Sequence, residues 1–480
     1  MVNCALSEIL SVGIDIGTST TQVIFSRLSM ENTSGFFTVP KISIVGKDII
    51  YKGEIYRTPL RTRTLIDGEA VRDIVSAEFR KAGFTPRETQ TGAVIITGES
   101  ARKENSEEVL RYLSEFAGEF VVSTAGPDIE SVVAGKGSGA AAYSEENGVA
   151  VVNLDIGGGT TNAVIFVDGE VYSTGCLDIG GRLVTLDADD KLAYVSESAQ
   201  LVAESVGVRL TAGDTARRED LEKVCAGYAA LLEQFLGIAQ PTQLLQKLKT
   251  PGSSDFKLHP KLRAVCFSGG VADFIYGKQS DVFRYGDIGV LLGQAIVNSA
   301  VCSSFKRIGA AETIRATVVG AGTYTTSVSG STIDYSDGLF PLKNIPVLRL
   351  NAEEQAACFD GDVSLLSEKF RWFLTQNDCR NAVLAMDGLP NPTYIGVQKL
   401  GGAIAKALNA VLPQGEPIMV VLRCDMAKIL GRQIRAGLPT ERPVISIDSI
   451  HVQQNDYIDM GRPLMDGLVI PVVVKTLIFG

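Results

Sequence analysis

The chain of 480 residues has little metal or redox chemistry to offer: two histidines, His259 and His451, one tryptophan, and eight cysteines with no Cys-x-x-Cys pair. Cys4, Cys176, Cys225, Cys266, Cys302, Cys358, Cys379 and Cys424 are dispersed, which fails the ligand spacing of zinc, iron–sulfur and disulfide-framework proteins. Scattered thiols in a large chain point to a reducing compartment. No run approaches the roughly 18 apolar residues of a membrane-spanning helix. The first apolar stretch leads straight into a glycine motif without the basic-then-apolar pattern of a leader, so the cytoplasm is the expected location, with no membrane partner. Positive charge is also in deficit. A formal net charge of −10 argues against nucleic acid as a partner, because that binding rests on cations facing phosphate. The densest basic stretch, Arg57 to Arg63, has no interleaved aromatic residues and reads as a solvated loop or edge strand.

What is present is apolar: 45% hydrophobic and 21% charged residues describe a folded chain, long enough for roughly two to four structural units. Compared with itself, the chain repeats one feature. Asp15-Ile16-Gly17 and Asp155-Ile156-Gly157 each follow a short apolar segment, then run through small and hydroxyl residues into Val23-Ile24-Phe25 or Ala163-Val164-Ile165-Phe166. The pattern is strand, tight glycine turn, strand, and two distant copies suggest duplicated domains. Ala93 to Gly98, Phe120 to Val122 and Ala264 to Phe267 read as further strands. A helix is expected to begin at Ile129 with Asp128 as its N-cap, and others over Ser106 to Phe116, Leu201 to Val206, Arg218 to Ile238 and Leu291 to Val301. Ala316 to Gly322 reads as another strand-to-glycine junction. Strands and helices alternate throughout, which predicts covered parallel or mixed sheets. The last third has its own strand and helix signals, from Ala382 to Met386 through Met426 to Arg435, and a β-prone end. The expected division is 1–150, 151–330 and 331–480, with a boundary near Gly330.

A phosphate chain needs several backbone N–H groups converging on it, and they can approach only where side chains are absent. Gly17-Thr18-Ser19-Thr20 and Gly157-Gly158-Gly159-Thr160-Thr161 supply that twice, so two facing turns could clasp a triphosphate, ATP, from both sides. Asp15 and Asp155 could hold Mg²⁺ through water or orient an attacking water. One such turn alone is more often an ordinary hairpin. Ser268-Gly269-Gly270 supplies a third glycine junction downstream. No Walker loop or nucleophile elbow competes: Ala134-Gly135-Lys136-Gly137 lacks the required Ser or Thr after Lys.

The order Asp-Ile-Gly-Thr, Asp-Ile-Gly-Gly-Gly-Thr, Ser-Gly-Gly resembles the phosphate-1, phosphate-2 and adenosine motifs of the superfamily of actin, heat-shock chaperones and sugar kinases. The resemblance implies an α/β fold of duplicated actin-like (ribonuclease H-like) ATPase domains, here with an additional C-terminal α/β segment. It makes Ser268, Gly269 and Gly270 the adenosine motif. It also places Pro127 to Gly135 at the connecting helix, with Glu130 as a catalytic or magnesium-water carboxylate beside Asp15 and Asp155. Seven residues after the phosphate-2 aspartate, where the chaperones carry another aspartate, stands Asn162. An amide is no base, so slow hydrolysis is expected.

A closer resemblance runs through Ser11 to Gly17, Gln22 to Arg27, Ile95 to Ala101, Cys176 to Leu183, Tyr285 to Gly289, Arg315 to Gly322 and Asp456 to Leu464. These segments resemble the ethanolamine ammonia-lyase reactivating factors. That family implies a chaperone-like ATPase that uses Mg-ATP to exchange damaged cobalamin for intact adenosylcobalamin in its partner, ethanolamine ammonia-lyase. Adenosylcobalamin would belong to the lyase. The resemblance leaves open the free cytosol or an ethanolamine-utilisation bacterial microcompartment. A sugar or metabolite kinase and an actin-like scaffold protein remain the alternatives, although no substrate-pocket base for a kinase is identifiable.

Overall fold

The computed structural model describes residues 7–32, 42–62, 65–98, 100, 104–106, 108–109, 113, 121–124, 127–277, 281–324, 326–329, 332–377, 379–389, 391–454, 456–464 and 467–476. Most of the helix expected over Ser106 to Phe116, and the boundary expected at Gly330, lie outside them.

The first sheet contains β1 (Ser7–Ile16), β2 (Thr20–Asn32), β3 (Ile42–Lys52), β4 (Tyr56–Arg57), β5 (Thr91–Ile96) and β6 (Val121–Thr124), in the order β3-β2-β1-β5-β6 with β4 on β2. β1, β2 and β3 form an antiparallel meander, while β5 lies parallel to β1 and β6 to β5. β5 is buried along its whole length, as an apolar run covered on both faces should be. Helix α1 (Gly68–Ala82) precedes it, capped by the Asp67 carboxylate and ended by left-handed Gly83. After β6 come α2 (Pro127–Gly137) and α3 (Ala140–Asn147).

The second sheet repeats this plan. β7 (Ala150–Ile156), β8 (Thr161–Val167) and β9 (Glu170–Leu177) form the meander. A small pair, β10 (Val184–Leu186) and β11 (Leu192–Val195), precedes α4 (Glu197–Ser205), α5 (Arg218–Phe235) and α6 (Gln243–Lys247). β12 (Leu262–Ser268) then joins parallel to β7. After α7 (Ala272–Tyr276), α8 (Gly289–Val297) and α9 (Ala300–Ser304), β13 (Lys306–Arg307) joins parallel to β12. The order β9-β8-β7-β12-β13 has the strand directions of the first sheet. This is a duplicated actin-like α/β fold.

Each half contributes a helix that packs on the other. α2 lies against β7, β8 and β9, whereas α10 (Ala316–Tyr324) lies against β1 and β2, and the two helices touch. Glycine permits the approach: a Cβ on Gly137 would strike the Ala316 carbonyl, and one on Gly320 the Val133 carbonyl. This corrects the strand-to-glycine junction expected over Ala316 to Gly322. The glycines there serve close helix packing and not a turn, and Val318 is fully buried between the halves. Two smaller corrections concern helix ends. Asp128 is no N-cap but lies in the first turn of α2, where its carboxylate accepts from the N–H and hydroxyl of Ser254. The helix expected over Leu291 to Val301 is broken at Asn298 and Ser299, whose hydroxyl accepts from Val301 N–H to start α9.

The third sheet collects β14 (Thr326–Val328), β15 (Asp334–Tyr335), β16 (Leu342–Arg349), β17 (Val383–Met386), β18 (Ile418–Leu422), β19 (Val444–Ile447), β20 (Asp456–Met460) and β21 (Pro471–Thr476). β16 to β19 are parallel in sequence order. Their crossovers, α11 (Ala352–Asp360), α12 (Val363–Gln376), α13 (Tyr394–Val411) and α14 (Ala427–Gly437), bury one face of the sheet in a core of Leu348, Leu384, Phe370, Leu400 and Ile434. This is the additional C-terminal α/β segment. No helix among the described residues is long and apolar enough to cross a membrane.

Candidate functional site

The β1–β2 and β7–β8 hairpins are built alike. Ile16 pairs with Thr21 and Ile156 with Thr161, and in each turn the first glycine donates its N–H to the threonine carbonyl, Gly17 to Thr20 and Gly157 to Thr160, both at 2.9 Å. The carbonyl oxygens of the turns are engaged from behind. Gly17 O accepts from the hydroxyls of Thr58 (2.7 Å) and Ser100 (3.0 Å), Gly157 O from Gly181 N–H (2.9 Å), and Gly158 O from Arg182 N–H (2.7 Å). Glycine turns whose carbonyls are engaged in this way have the form in which backbone N–H groups serve phosphate oxygens. A Cβ on Gly158 would collide with Ser19 Oγ, so the two turns face each other across a narrow gap.

Between them lies a cleft of about 520 Å³, of the size that holds a nucleotide. Asp15, Gly17, Thr18, Ser19, Thr20, Glu130, Asp155, Gly157, Gly158, Gly159, Thr160, Gly269 and Gly270 all line it. Thr161 and Ser268 stand behind the wall: the Thr161 hydroxyl donates to Ile179 O, and Ser268 Oγ donates to Asp155 at 2.6 Å. Gly269 adopts φ +82°, where a side chain would also meet the Ile156 carbonyl, so the third junction needs glycine. Beyond it, Val271, Phe274 and Tyr285 form an apolar wall, the two rings 5.5 Å apart.

Three carboxylates converge on the floor. Asp15 accepts from the Thr97 hydroxyl at 2.9 Å, just as Asp155 accepts from Ser268, each donor coming from the parallel neighbour strand or its end. A buried relay holds Asp155, with the Asn153 amide donating to Ser268 Oγ. Glu130, on α2, accepts from Gly98 N–H at 3.0 Å and from the Asn162 side chain. Burial pushes Asp15 up to about 7, against the Thr97 bond and helped by the charge of Asp155. Burial likewise raises Asp155 to about 6. Glu130 is raised well above the usual range by burial, then by Asp155 and Asp15.

Register makes Gln22 the counterpart of Asn162: the first pairs with Asp15, the second with Asp155. Both amide oxygens are buried without a hydrogen-bond partner. Mutually repelling carboxylates together with unpaired amide oxygens fit a hydrated dication, which supplies charge to the former and water O–H donors to the latter. Among the described residues no group of three His, Cys, Asp or Glu is set to hold an ion directly.

Reasoning from the motifs missed Gln22, Thr97, Arg57, Arg182 and Asp287, which also line the cleft. All but Arg57 fall inside segments that carry the family resemblance. Arg57 lies in the stretch read as a solvated edge; it is indeed on an edge strand, but β4 folds back onto β2 beside the first turn.

Over residues 7–480 the chain matches the model of a family described as ethanolamine utilisation protein EutA. The chain belongs to this EutA family. The ethanolamine ammonia-lyase reactivase EutA of Salmonella typhimurium is 36% identical over 477 residues, covering 98% of this chain and 99% of the relative. The ethanolamine ammonia-lyase reactivase EutA of Escherichia coli K12 is 34% identical over 479 residues, again 98% and 99% of the two chains. Among solved structures, the Ppx/GppA family member of Aquifex aeolicus aligns at 15% identity with 65% of this chain and 97% of that one, with a TM-score of 0.40.

Proposed function

We propose that this chain reactivates ethanolamine ammonia-lyase by binding ATP with Mg²⁺ in the cleft, hydrolysing it slowly, and using the change in nucleotide state to release damaged cobalamin from the lyase. The observation that carries the nucleotide reading is the pairing of two register-matched glycine turns across one cleft, with Asp15, Asp155 and Glu130 on its floor. Support for the partner comes from family membership and from two full-length relatives that bear the reactivase name. The intact adenosylcobalamin that replaces the damaged cofactor would bind the lyase.

In this reading backbone N–H groups within the turns Gly17 to Thr20 and Gly157 to Thr160, other than those of Gly17 and Gly157 that close the turns, bind the phosphates, and Gly269, Gly270 and Phe274 receive the nucleoside. Bound magnesium would supply positive charge to the phosphate oxygens. Asp15 and Asp155 would hold it through water. Glu130 orients or deprotonates the attacking water, helped by its raised proton affinity. Asn162, an amide, contributes no second base, which keeps turnover slow. Residues 1–150 and 151–330 act as the two halves of the clasp, and 331–480 as an appended unit. Differential affinity of the two nucleotide states for the lyase is what makes the cycle perform work. The chain would act in the cytoplasm or an ethanolamine-utilisation microcompartment.

The test is direct. Inactivated lyase is incubated with this protein, Mg-ATP and adenosylcobalamin, and recovered deamination is measured; no recovery above a control without the protein removes the reactivase reading. Asp155→Asn should abolish ATP turnover with the fold intact by circular dichroism, and unchanged turnover would remove Asp155 from the mechanism.

A further inference from the structure

The parallel strands of the third sheet end in acids. Asp387 follows β17 directly, Asp425 comes shortly after β18, and Asp448 is the first residue beyond β19. The carboxyl ends of parallel strands are where open α/β sheets bind ligands. Asp387 is paired with Arg349 at 2.9 Å, and Asp334, on β15, with Arg435 at 3.0 Å. Asp425 and Asp448 have no cationic partner among the described residues; what they meet is Thr332 and each other. β15 pairs Asp334 with Ser446, and the same register continued by two residues sets Thr332 opposite Asp448. The Thr332 hydroxyl lies within reach of both carboxylates, yet it has one proton to give.

Asp448 is fully buried. Its Oδ2 accepts from Thr332 and from Ala427 N–H (3.4 Å) at the start of α14, so one oxygen serves as a helix cap. Oδ1 is buried without any hydrogen-bond partner. A bare carboxylate oxygen next to a second carboxylate is costly unless positive charge is supplied. Asp425, by contrast, is exposed and Thr332 half-buried, so the cluster runs from a dry end to a wet one. Cys424 and Met426, on either side of Asp425, pack at Gly388, which leaves oxygens as the donors. We propose that Thr332, Asp425 and Asp448 form a binding site for a hard divalent cation, magnesium or calcium, none of the three being part of the nucleotide cleft. Asp448 Oδ1 and an Asp425 oxygen are its charged ligands, the Thr332 hydroxyl oxygen is a neutral one, and water completes the shell on the exposed side. Two carboxylates match the charge of a dication, and an all-oxygen donor set suits hard ions over softer ones. With so much of the shell left to water, binding is weak, with a Kd on the order of 0.1–1 mM.

The experiment is calorimetric titration of the nucleotide-free full chain with magnesium chloride and, separately, calcium chloride, at about pH 8, where protons compete weakly for carboxylates. Wild type is run beside the Asp15→Asn, Asp155→Asn double variant, in which the cleft carboxylates no longer contribute. One binding event per chain is expected to survive in the double variant for at least one of the two salts, and the tighter arm names the ion. In that background Asp425→Asn, at an exposed position, should weaken the event by about tenfold or more, and Thr332→Val by about threefold. Asp448→Asn should abolish it; if that variant does not fold by circular dichroism, Asp425→Asn decides alone. No binding of either salt up to about 10 mM, or an affinity unchanged by Asp425→Asn, would overturn the site and leave two carboxyl groups sharing a proton. Neither result touches the nucleotide reading, which stands or falls on Mg-ATP in the cleft.

Discussion

The buried carboxylates on the cleft floor should make stability fall as pH rises, and magnesium should reverse the fall. Asp15 and Asp155 have proton affinities raised from 3.8 to about 7 and about 6. A group raised in the folded state contributes stability that is fully present below the unfolded value and is lost as pH climbs through the folded one. At 1.36 kcal/mol per pH unit, Asp15 loses its share up to pH 7 and Asp155 up to pH 6, together ~4 kcal/mol between pH 5 and pH 8. For a unit of 150–250 residues this corresponds to a fall of about 10 °C in melting temperature. The comparison protein is the Asp15→Asn, Asp155→Asn double variant, which keeps the acceptor oxygens for Thr97 and Ser268. Asp448, also raised to about 7 but in the third sheet, contributes equally to both proteins and cancels. Scanning calorimetry in chelator should therefore show a steeper loss with pH in wild type than in the variant. Adding magnesium at pH 8 should recover most of the difference in wild type, and little at pH 5. Parallel pH profiles in chelator would refute the placement of these carboxylates in a common desolvated site.

Two further outcomes concern the frame around the cleft. Gly320→Ala puts a methyl group into the Val133 carbonyl, a backbone atom that cannot step aside, so the two crossing helices must separate. A loss of about 3 kcal/mol or more in chemical unfolding is expected, and a change under 1 kcal/mol would show that the helices are loosely packed. Glu78, fully buried, accepts from the hydroxyls of Tyr51 and Tyr56, from Lys81 Nζ and from Glu54 N–H. Glu78→Ala takes the acceptor from both tyrosines and from Glu54 N–H, while Lys81 keeps Glu54 and the Tyr56 oxygen, and should cost ~1–3 kcal/mol in the same assay, with Glu78→Gln recovering part of it.

The twin hairpins were legible because their signal is local. Alternating apolar residues stop at glycine and resume, and both the turn and its neighbouring strands follow from a dozen consecutive positions. The helix at Ala316 to Tyr324 was not legible. Its valines and glycines have the composition of a strand ending in a turn, and only the need to lie within touching distance of α2 and β1 explains Gly320 and Gly322. Arg57 illustrates the same limit at the site. An arginine on an exposed two-residue strand carries no local mark of function; its position follows from the return of β4 onto β2 beside the first turn. The break at Asn298 is visible in hindsight as a serine cap, though the apolar period runs straight across it.

Asp15, Glu130 and Asp155 are separated in sequence because each rides on a different rigid part. Asp15 belongs to the first sheet and Asp155 to the second, while Glu130 sits on α2, which leaves the first half and packs on the second. Their mutual repulsion exists only while these three parts meet. A rotation of the halves moves Asp15 against Asp155 and Glu130, which stay together because α2 packs on the second sheet, and under the proposed function it would change the affinity for a dication. The same rotation must turn about the contact between α2 and α10, where glycine replaces side chains and backbone meets backbone. Under the function proposed above, opening such a clasp would disrupt the site for the hydrated dication, and that would tie nucleotide state to the relative position of the two halves.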